Sequence, residues 1–383
     1  MRGLLTIVVS VALGAPAVAQ APVTLASTFE AGWTSNVSEN EDGAGDVFLR
    51  QAHDLSIQGM IGQMALRGGL QVEQTRFGAT PIADELSVTA GLEAGLALGE
   101  GAALRAGYAL SRDWSGGSLD LADIPVTISN SDLTHEALAE LTLAAPGRAL
   151  VLGIDHIQLR PGLSRLDPLP LPPQKLAPDA GLTTFRLDGE WALGAAATSL
   201  ARARAFVTQV DEDERLSFLR EPADGVQLAA GLRLGSGSIG VEAFGGVDLV
   251  WPRTAPERLQ VLPHVDVSAE VALSDRRSVY LRGATGVERL KPIDNVAGAT
   301  WESELGLRAD LPEDRQAVLA LSHNRETGLY GAGWSSRTEV SARFTTPLFH
   351  QLRLTLGASQ AWLDSGAGVV PVSRLGATLT ASI

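Results

Sequence analysis

A chain of 383 residues with a formal charge of −14, 45% hydrophobic and 19% charged, is too apolar to stay disordered and too acidic to bind nucleic acid through phosphate contacts. It has no cysteine, which excludes a disulfide framework, a thiolate metal site and a thiol nucleophile.

At the N-terminus, "MRGLLTIVVSVALGAPAVAQ" carries Arg2, an apolar run from Leu4 to Leu13 and the small residues Ala17 and Ala19. This pattern predicts a secretory signal peptide over 1–20 and a mature chain over 21–383. The apolar run is far shorter than the ~20 residues a spanning helix needs. No later segment is long and apolar enough to span as a helix, so any membrane crossing must use strands.

Period-2 alternation then recurs to the end of the chain. A first strand is predicted over 23–33. In 85–98, Leu86, Val88, Ala90, Leu92, Ala94, Leu96 and Leu98 share one face. In 185–191, Phe185, Leu187 and Trp191 oppose Arg186, Asp188 and Glu190. In 261–273 the odd positions, Val261 to Leu273, are apolar, whereas His264, Asp266, Ser268 and Glu270 lie between them. Pro263 lacks a ladder donor, so a bulge or a later strand start is expected there. Segments 337–345 and 352–362 alternate in the same way. The last, "VSRLGATLTASI", runs to Ile383, which suits closure of a final strand on the first. About 18 such segments (roughly 16 on a stricter reading) approach the ~10-residue length of a transmembrane strand.

Connections alternate in length. Short turns fall at 99–102, 145–148, 235–238, 274–277 and 311–315, and longer polar links at 34–46, 114–131, 161–181, 211–224, 290–299 and 363–371. Short periplasmic turns alternating with longer outer loops are the mark of an up-and-down membrane barrel, and a soluble sandwich or solenoid has no reason to segregate them. Trp33, Trp114, Trp251, Trp301, Trp334 and Trp362 then gather at one rim as an aromatic girdle, indole rings preferring the headgroup level. The opposite girdle is thin: Trp191, Tyr280, Phe344 and Phe349. The expected fold is all-β: a transmembrane, antiparallel, up-and-down β-barrel whose apolar faces meet lipid.

"LASTFEAGWTSNV", "DLSIQGMIGQMALRGGLQVEQTRF" and "SSRTEVSARFTTPL" resemble segments of the porin 2-like outer-membrane β-barrels of Gram-negative bacteria. The resemblance spans the mature chain through alternation and a few polar positions. It implies an outer-membrane location and brings no substrate.

Candidate functional residues are the charges expected to face a lumen. They are Arg67, Arg105, Arg186, Arg202, Arg204, Arg233, Arg308, Arg337, Arg343 and Arg353, with Glu30, Glu93, Glu136, Glu140, Asp188, Glu190, Glu242, Asp266, Glu270, Glu302, Glu304 and Glu339. Rings of such charge set ion selectivity; the plainer alternative is that opposite charges pair across strands and keep a wet interior soluble. The proline-rich link 161–179, with Arg165 and Lys175, is either an infolded constriction or a stiff outer loop. The acidic stretches 39–46 and 211–214 lack Ca²⁺-loop spacing, so solvated loops are expected. Ser322-His323 and Asp155-His156 are sequence neighbours on strands, which puts each pair on opposite faces and argues against a nucleophile–base unit. The expectation is a passive channel for small hydrophilic solutes, without catalysis, cofactor or metal. Its partners are outer-membrane lipid, lipopolysaccharide and the barrel-assembly machinery. The alternative is a plugged, non-conducting barrel with a structural or surface-binding role.

Overall fold

The computed structural model describes residues 22–382 except 38, 40–42, 122–123, 168, 170, 216–221, 289–297, 330–332, 350 and 367. The expected signal peptide (1–20), most of the 290–299 link, residues 40–42 of the first acidic stretch, and Ile383 lie outside the described residues.

The strands are β1 (Val23–Thr34), β2 (Asp46–Ile61), β3 (Met64–Phe77), β4 (Glu85–Gly99), β5 (Ala102–Leu121), β6 (Ile124–Ala145), β7 (Arg148–Pro161), β8 (Leu163–Asp167), β9 (Gln174–Lys175), β10 (Ala180–Ala192), β11 (Ala197–Val210), β12 (Ala223–Ser236), β13 (Ile239–Pro252), β14 (Gln260–Ser274), β15 (Arg277–Glu288), β16 (Gly298–Leu311), β17 (Arg315–Gly328), β18 (Trp334–Phe349), β19 (Leu352–Asp364) and β20 (Val369–Ser382). All except β8 and β9 form an 18-strand antiparallel barrel, in which β7 pairs with β10 and β20 pairs with β1 from Ala26↔Ser382 to Thr34↔Arg374. Closure leaves no barrel strand with an unpaired edge, which is what a spanning sheet requires where water cannot satisfy the backbone.

The short turns gather at one end of the barrel. Gly101 shows why they are glycine-rich. Its φ is +77°, and a Cβ there would stand 2.0 Å from the Ala144 carbonyl oxygen, so only glycine fits without strain. The longer links gather at the other end, and they include three beyond those expected: 78–84, 253–259 and 329–333.

Three expectations are corrected. Residues 114–131 are largely strand: β5 and β6 continue past Trp114 as a paired hairpin up to Leu121↔Ile124. Pro263 carries no bulge: β13 and β14 pair without a break from Ile239↔Val271 to Val250↔Gln260. On its other side the ladder with β15 ends at Asp266↔Ala284. There the Thr285 hydroxyl takes the ladder's place, donating to the Pro263 carbonyl at 3.0 Å and accepting from the Val265 N–H at 2.8 Å. Tyr280 belongs to no outer girdle. It shares the inward face with its cross-strand neighbours Glu270 and Gly306 and is 8% exposed.

The 161–179 link is neither a plain loop nor a simple strut. β8 adds to β6 through Thr127↔Asp167, Ile128↔Leu166 and Ser129↔Arg165, and β9 adds to β8. Its return is latched to a short helix, α1 (Glu212–Arg215), inside the second acidic stretch. The Lys175 ammonium donates to Asp179 at 2.7 Å and to Glu214, whose other oxygen accepts from the Asp179 N–H at 2.8 Å. Burial pushes the Lys175 pKa down, but the two carboxylates outweigh it and hold it above the ordinary lysine value. A raised lysine pKa stabilises the latch fully below the unfolded value and loses that contribution as pH rises through the folded one. A spin label at Leu171→Cys, the sole thiol in the chain, should therefore gain mobility above roughly pH 10.5. With Lys175→Gln it should be mobile already at pH 7. Equal mobility of both proteins at pH 7 would rule the latch out.

Candidate functional site: the inner wall

Alternation decides which side chains point inward, and pairing decides which of them meet. Arg186 reaches across β7 to Glu140 at 2.6 Å and to Asp155 at 3.3 Å. Arg202 joins Asp188 on β10 at 3.3 Å to Asp266 on β14 at 3.1 Å, crossing two strands, and lies 4.1 Å over the Phe244 ring. Arg233 links Glu190 at 3.0 Å to Glu242 at 2.6 Å. Arg308 is 3.9 Å from Glu270 and, with Arg282, stacks on Tyr280. Arg105 pairs with Glu93 at 2.7 Å. Glu302 stands opposite Ala284 and Asn324, and Glu304 opposite Arg282 and Ser322. Glu30 faces Arg50 and Thr378, and Glu136 faces Ala109 and Ile157.

Arg67 faces Gln58 and Glu93 across the ladders, Arg343 faces Val318 and Gly357, and Arg353 faces Thr380. Arg204 sits between Arg186 and Gln227, and its Nε is buried without a hydrogen-bond partner among the described residues. Thus every charged residue expected inward projects to the concave side, but the arrangement is a set of small networks rather than a ring of one sign.

The inner aromatics are pressed flat against this wall. A Cβ at Gly225 would stand 2.2 Å from Phe206, one at Gly231 would stand 2.9 Å from Phe244, and one at Gly306 would stand 2.2 Å from Tyr280. Glycine on the neighbouring strand gives each ring a bed, so the ring covers wall instead of projecting across the lumen.

Three features were missed in sequence. The first is Glu39, in the β1–β2 link: its carboxylate accepts from Arg337 at 3.0 Å and from Arg374, while Arg337 also donates to Glu339 at 2.8 Å. Arg337 and Arg374 are inward residues of β18 and β20, so Glu39 is drawn in at the long-link end; the 39–46 stretch is thus no freely solvated loop at Glu39. No local pattern signalled it. The second is a buried polar trio on β12–β14. Gln227 Nε2 donates to Asp248 at 2.8 Å and lies 3.1 Å from His264 Nδ1, itself 3.4 Å from Asp248. The alternation of β14 had placed His264 on this face, but nothing local named its partners. The third is a buried apolar cluster at the same end, Phe206, Ala223, Val250 and Val287, against which Leu182, Leu262 and Leu329 pack.

The opposite wall is open. A recess of about 440 Å³ lies against β3–β7 where Gly69, Gly91 and Gly107 leave room, rimmed by Arg67, Glu93, Glu136 and Asp155. Ser322 faces inward beside Glu339, whereas His323 faces outward and bonds Thr338 at 2.9 Å; Asp155 and His156 diverge likewise. Among the described residues no group of three or more His, Asp or Glu side chains is placed to hold a metal ion.

On the outer side, Trp33, Trp114, Trp251, Trp301, Trp334 and Trp362 all occupy outward positions at the long-link end, in register with Val47, Leu86, Asp224, Thr285, Thr327 and Thr338 respectively. Exposed leucines and valines cover the band between them and the turns, among them Leu92, Leu228, Val265, Leu281, Leu305 and Leu319.

The closed barrel superimposes on solved structures of outer-membrane proteins. The fold is that of the Gram-negative outer-membrane β-barrels. The copper transporter OprC matches at a TM-score of 0.55 and 12% identity, over 96% of this chain and 81% of OprC. OpdO of Pseudomonas aeruginosa matches at 0.51 and 12%, over 94% of this chain and 97% of OpdO. BauA, the ferric preacinetobactin receptor of Acinetobacter baumannii, matches at 0.51 and 9%, over 94% and 80%. No family model and no curated protein sequence matches the chain.

Proposed function

We propose that this barrel lies in the outer membrane of a Gram-negative bacterium as a passive, porin-type channel for small hydrophilic solutes, its long links outside and its turns in the periplasm. The observation that carries this reading is that charges inside a closed barrel stay wet. Arg233 and Glu190 keep 46% and 44% of their side-chain surface, and Glu270 keeps 52%. A plugged core would bury such groups, and taking even paired charges out of water costs several kcal/mol per ion. Eighteen strands are wide enough to leave an aqueous channel. Membership of the porin 2-like family is part of the same proposal. The opposed directions of Ser322 and His323 support leaving catalysis out.

The β3–β7 wall supports a cation preference. Glu73, Glu93, Asp113, Glu136, Glu140 and Asp155 project from it, against Arg67 and Arg105, with Arg50 of the neighbouring β2 paired to Glu73. A folded sample, identified by a mobility change on boiling, should give discrete, salt-dependent conductance steps in a planar bilayer, with cations more permeant than anions. The second reading, a plugged barrel, draws on the Glu39 bridge and the apolar cluster at the long-link end. A folded but electrically silent barrel would establish that reading and end the porin one.

A further inference from the structure

Two outward arginines at the long-link end, Arg112 and Arg160, differ from those inside. Within the lumen Arg186, Arg202, Arg233 and Arg337 each meet carboxylates. On the outer face Arg112 of β5 and Arg160 of β7 are exposed and flank Leu133 of β6 in a single row, Arg112↔Leu133↔Arg160. Two strand spacings separate them, roughly 10 Å. Their ordering contacts are neutral. The Arg112 guanidinium lies 5.0 Å over the Trp114 ring, and Arg160 donates to the Gln158 side chain at 3.2 Å. Such contacts aim a guanidinium without cancelling its charge. Directly beneath, the next outward row is Leu110↔His135↔Gln158, with His135 bonded to the Tyr108 hydroxyl at 2.6 Å.

In a chain of net charge −14, this is an outward cationic pair level with the tryptophans, with Leu133 between the two arginines and Leu110, His135 and Gln158 beneath. We propose that Arg112 and Arg160 clamp the phosphate of an anionic lipid of the outer leaflet, its acyl chain lying over Leu133 and Leu110. Guanidinium forks suit phosphate oxygens. Leu133 and Leu110 favour a phosphorylated lipid over free phosphate, and Trp114 sits where headgroups do. The inference rests on the outward face meeting lipid, and it stands whether or not the lumen conducts.

The test is lipid A binding to the refolded barrel in neutral detergent, counted by native mass spectrometry with phosphatidylcholine as the reference lipid. Arg112→Gln combined with Arg160→Gln should weaken lipid A binding on the order of tenfold or more, the scale of one lost charge-assisted hydrogen bond. Removing the same charge at the turn end, with Arg276→Gln and Arg277→Gln, should leave it unchanged. If the double glutamine variant fails to fold, Arg112→Lys with Arg160→Lys keeps the charge but loses the fork, and should bind with intermediate strength. Unchanged lipid A binding in the folded clamp variant would overturn the proposal. So would equal loss in the turn-end variant, or displacement of lipid A by millimolar inorganic phosphate.

Discussion

Asp248→Ala is expected to destabilise the barrel by about 3 kcal/mol, the range for stripping the partner from buried polar groups. Asp248 is 2% exposed, and its carboxylate is the acceptor around which Gln227 and His264, 3% and 5% exposed, are arranged. Alanine leaves the Gln227 amide without that acceptor and the imidazole without its neighbouring carboxylate, in a site where Gln227 Oε1 and His264 Nε2 already lack partners among the described residues. Asp248→Asn keeps an acceptor for Gln227 and should cost less than half as much. The urea midpoint of the heat-sensitive mobility shift reports the change. A loss under about 0.5 kcal/mol for alanine, the size of an ordinary surface substitution, would mean that water already serves the trio.

On the proposed porin reading, Glu39→Ala should change permeation more than the fold. Its carboxylate ties Arg337 to Arg374, and those side chains keep 30% and 47% of their surface. Ion pairs this wet contribute roughly 1 kcal/mol or less to stability, so the barrel should still form. Two effects on permeation follow from the geometry. The β1–β2 link loses its hold on the inner wall, which should raise single-channel conductance. One negative charge disappears and two arginines lose a counter-charge at the mouth, which should lower the cation-to-anion permeability ratio by roughly twofold or more. Glu39→Gln should reproduce the selectivity change, since the amide keeps the size and drops the charge. A variant with the parent's conductance and permeability ratio would show that the link does not gate the path.

Much of the wall was legible before any coordinates. Alternation is a property of neighbouring residues, because successive side chains of a strand leave on opposite sides. That is why Arg186, Arg202, Arg308 and Glu304 could be assigned a face from their own segments. Tyr280 was misplaced because its height was read and its parity was not: Val279 and Leu281 beside it are apolar and outward, so the signal was present. The continued β5–β6 hairpin was read as a link because polar, glycine-containing residues there imitate a loop, and only pairing shows that they hold a sheet together.

By itself the sequence determined the class of fold, the two-faced alternation of its strands and the segregation of short turns from long links. All of these follow from local period and turn chemistry. Tertiary structure decided which inward charges meet. Arg202 finds Asp266 three strands away because the wall between them curves inward and Phe244 carries the guanidinium across; Arg337 finds Glu39, 298 residues away in sequence, because the last strand closes on the first. Closure and stagger are global properties of all eighteen strands at once, and no single segment encodes them.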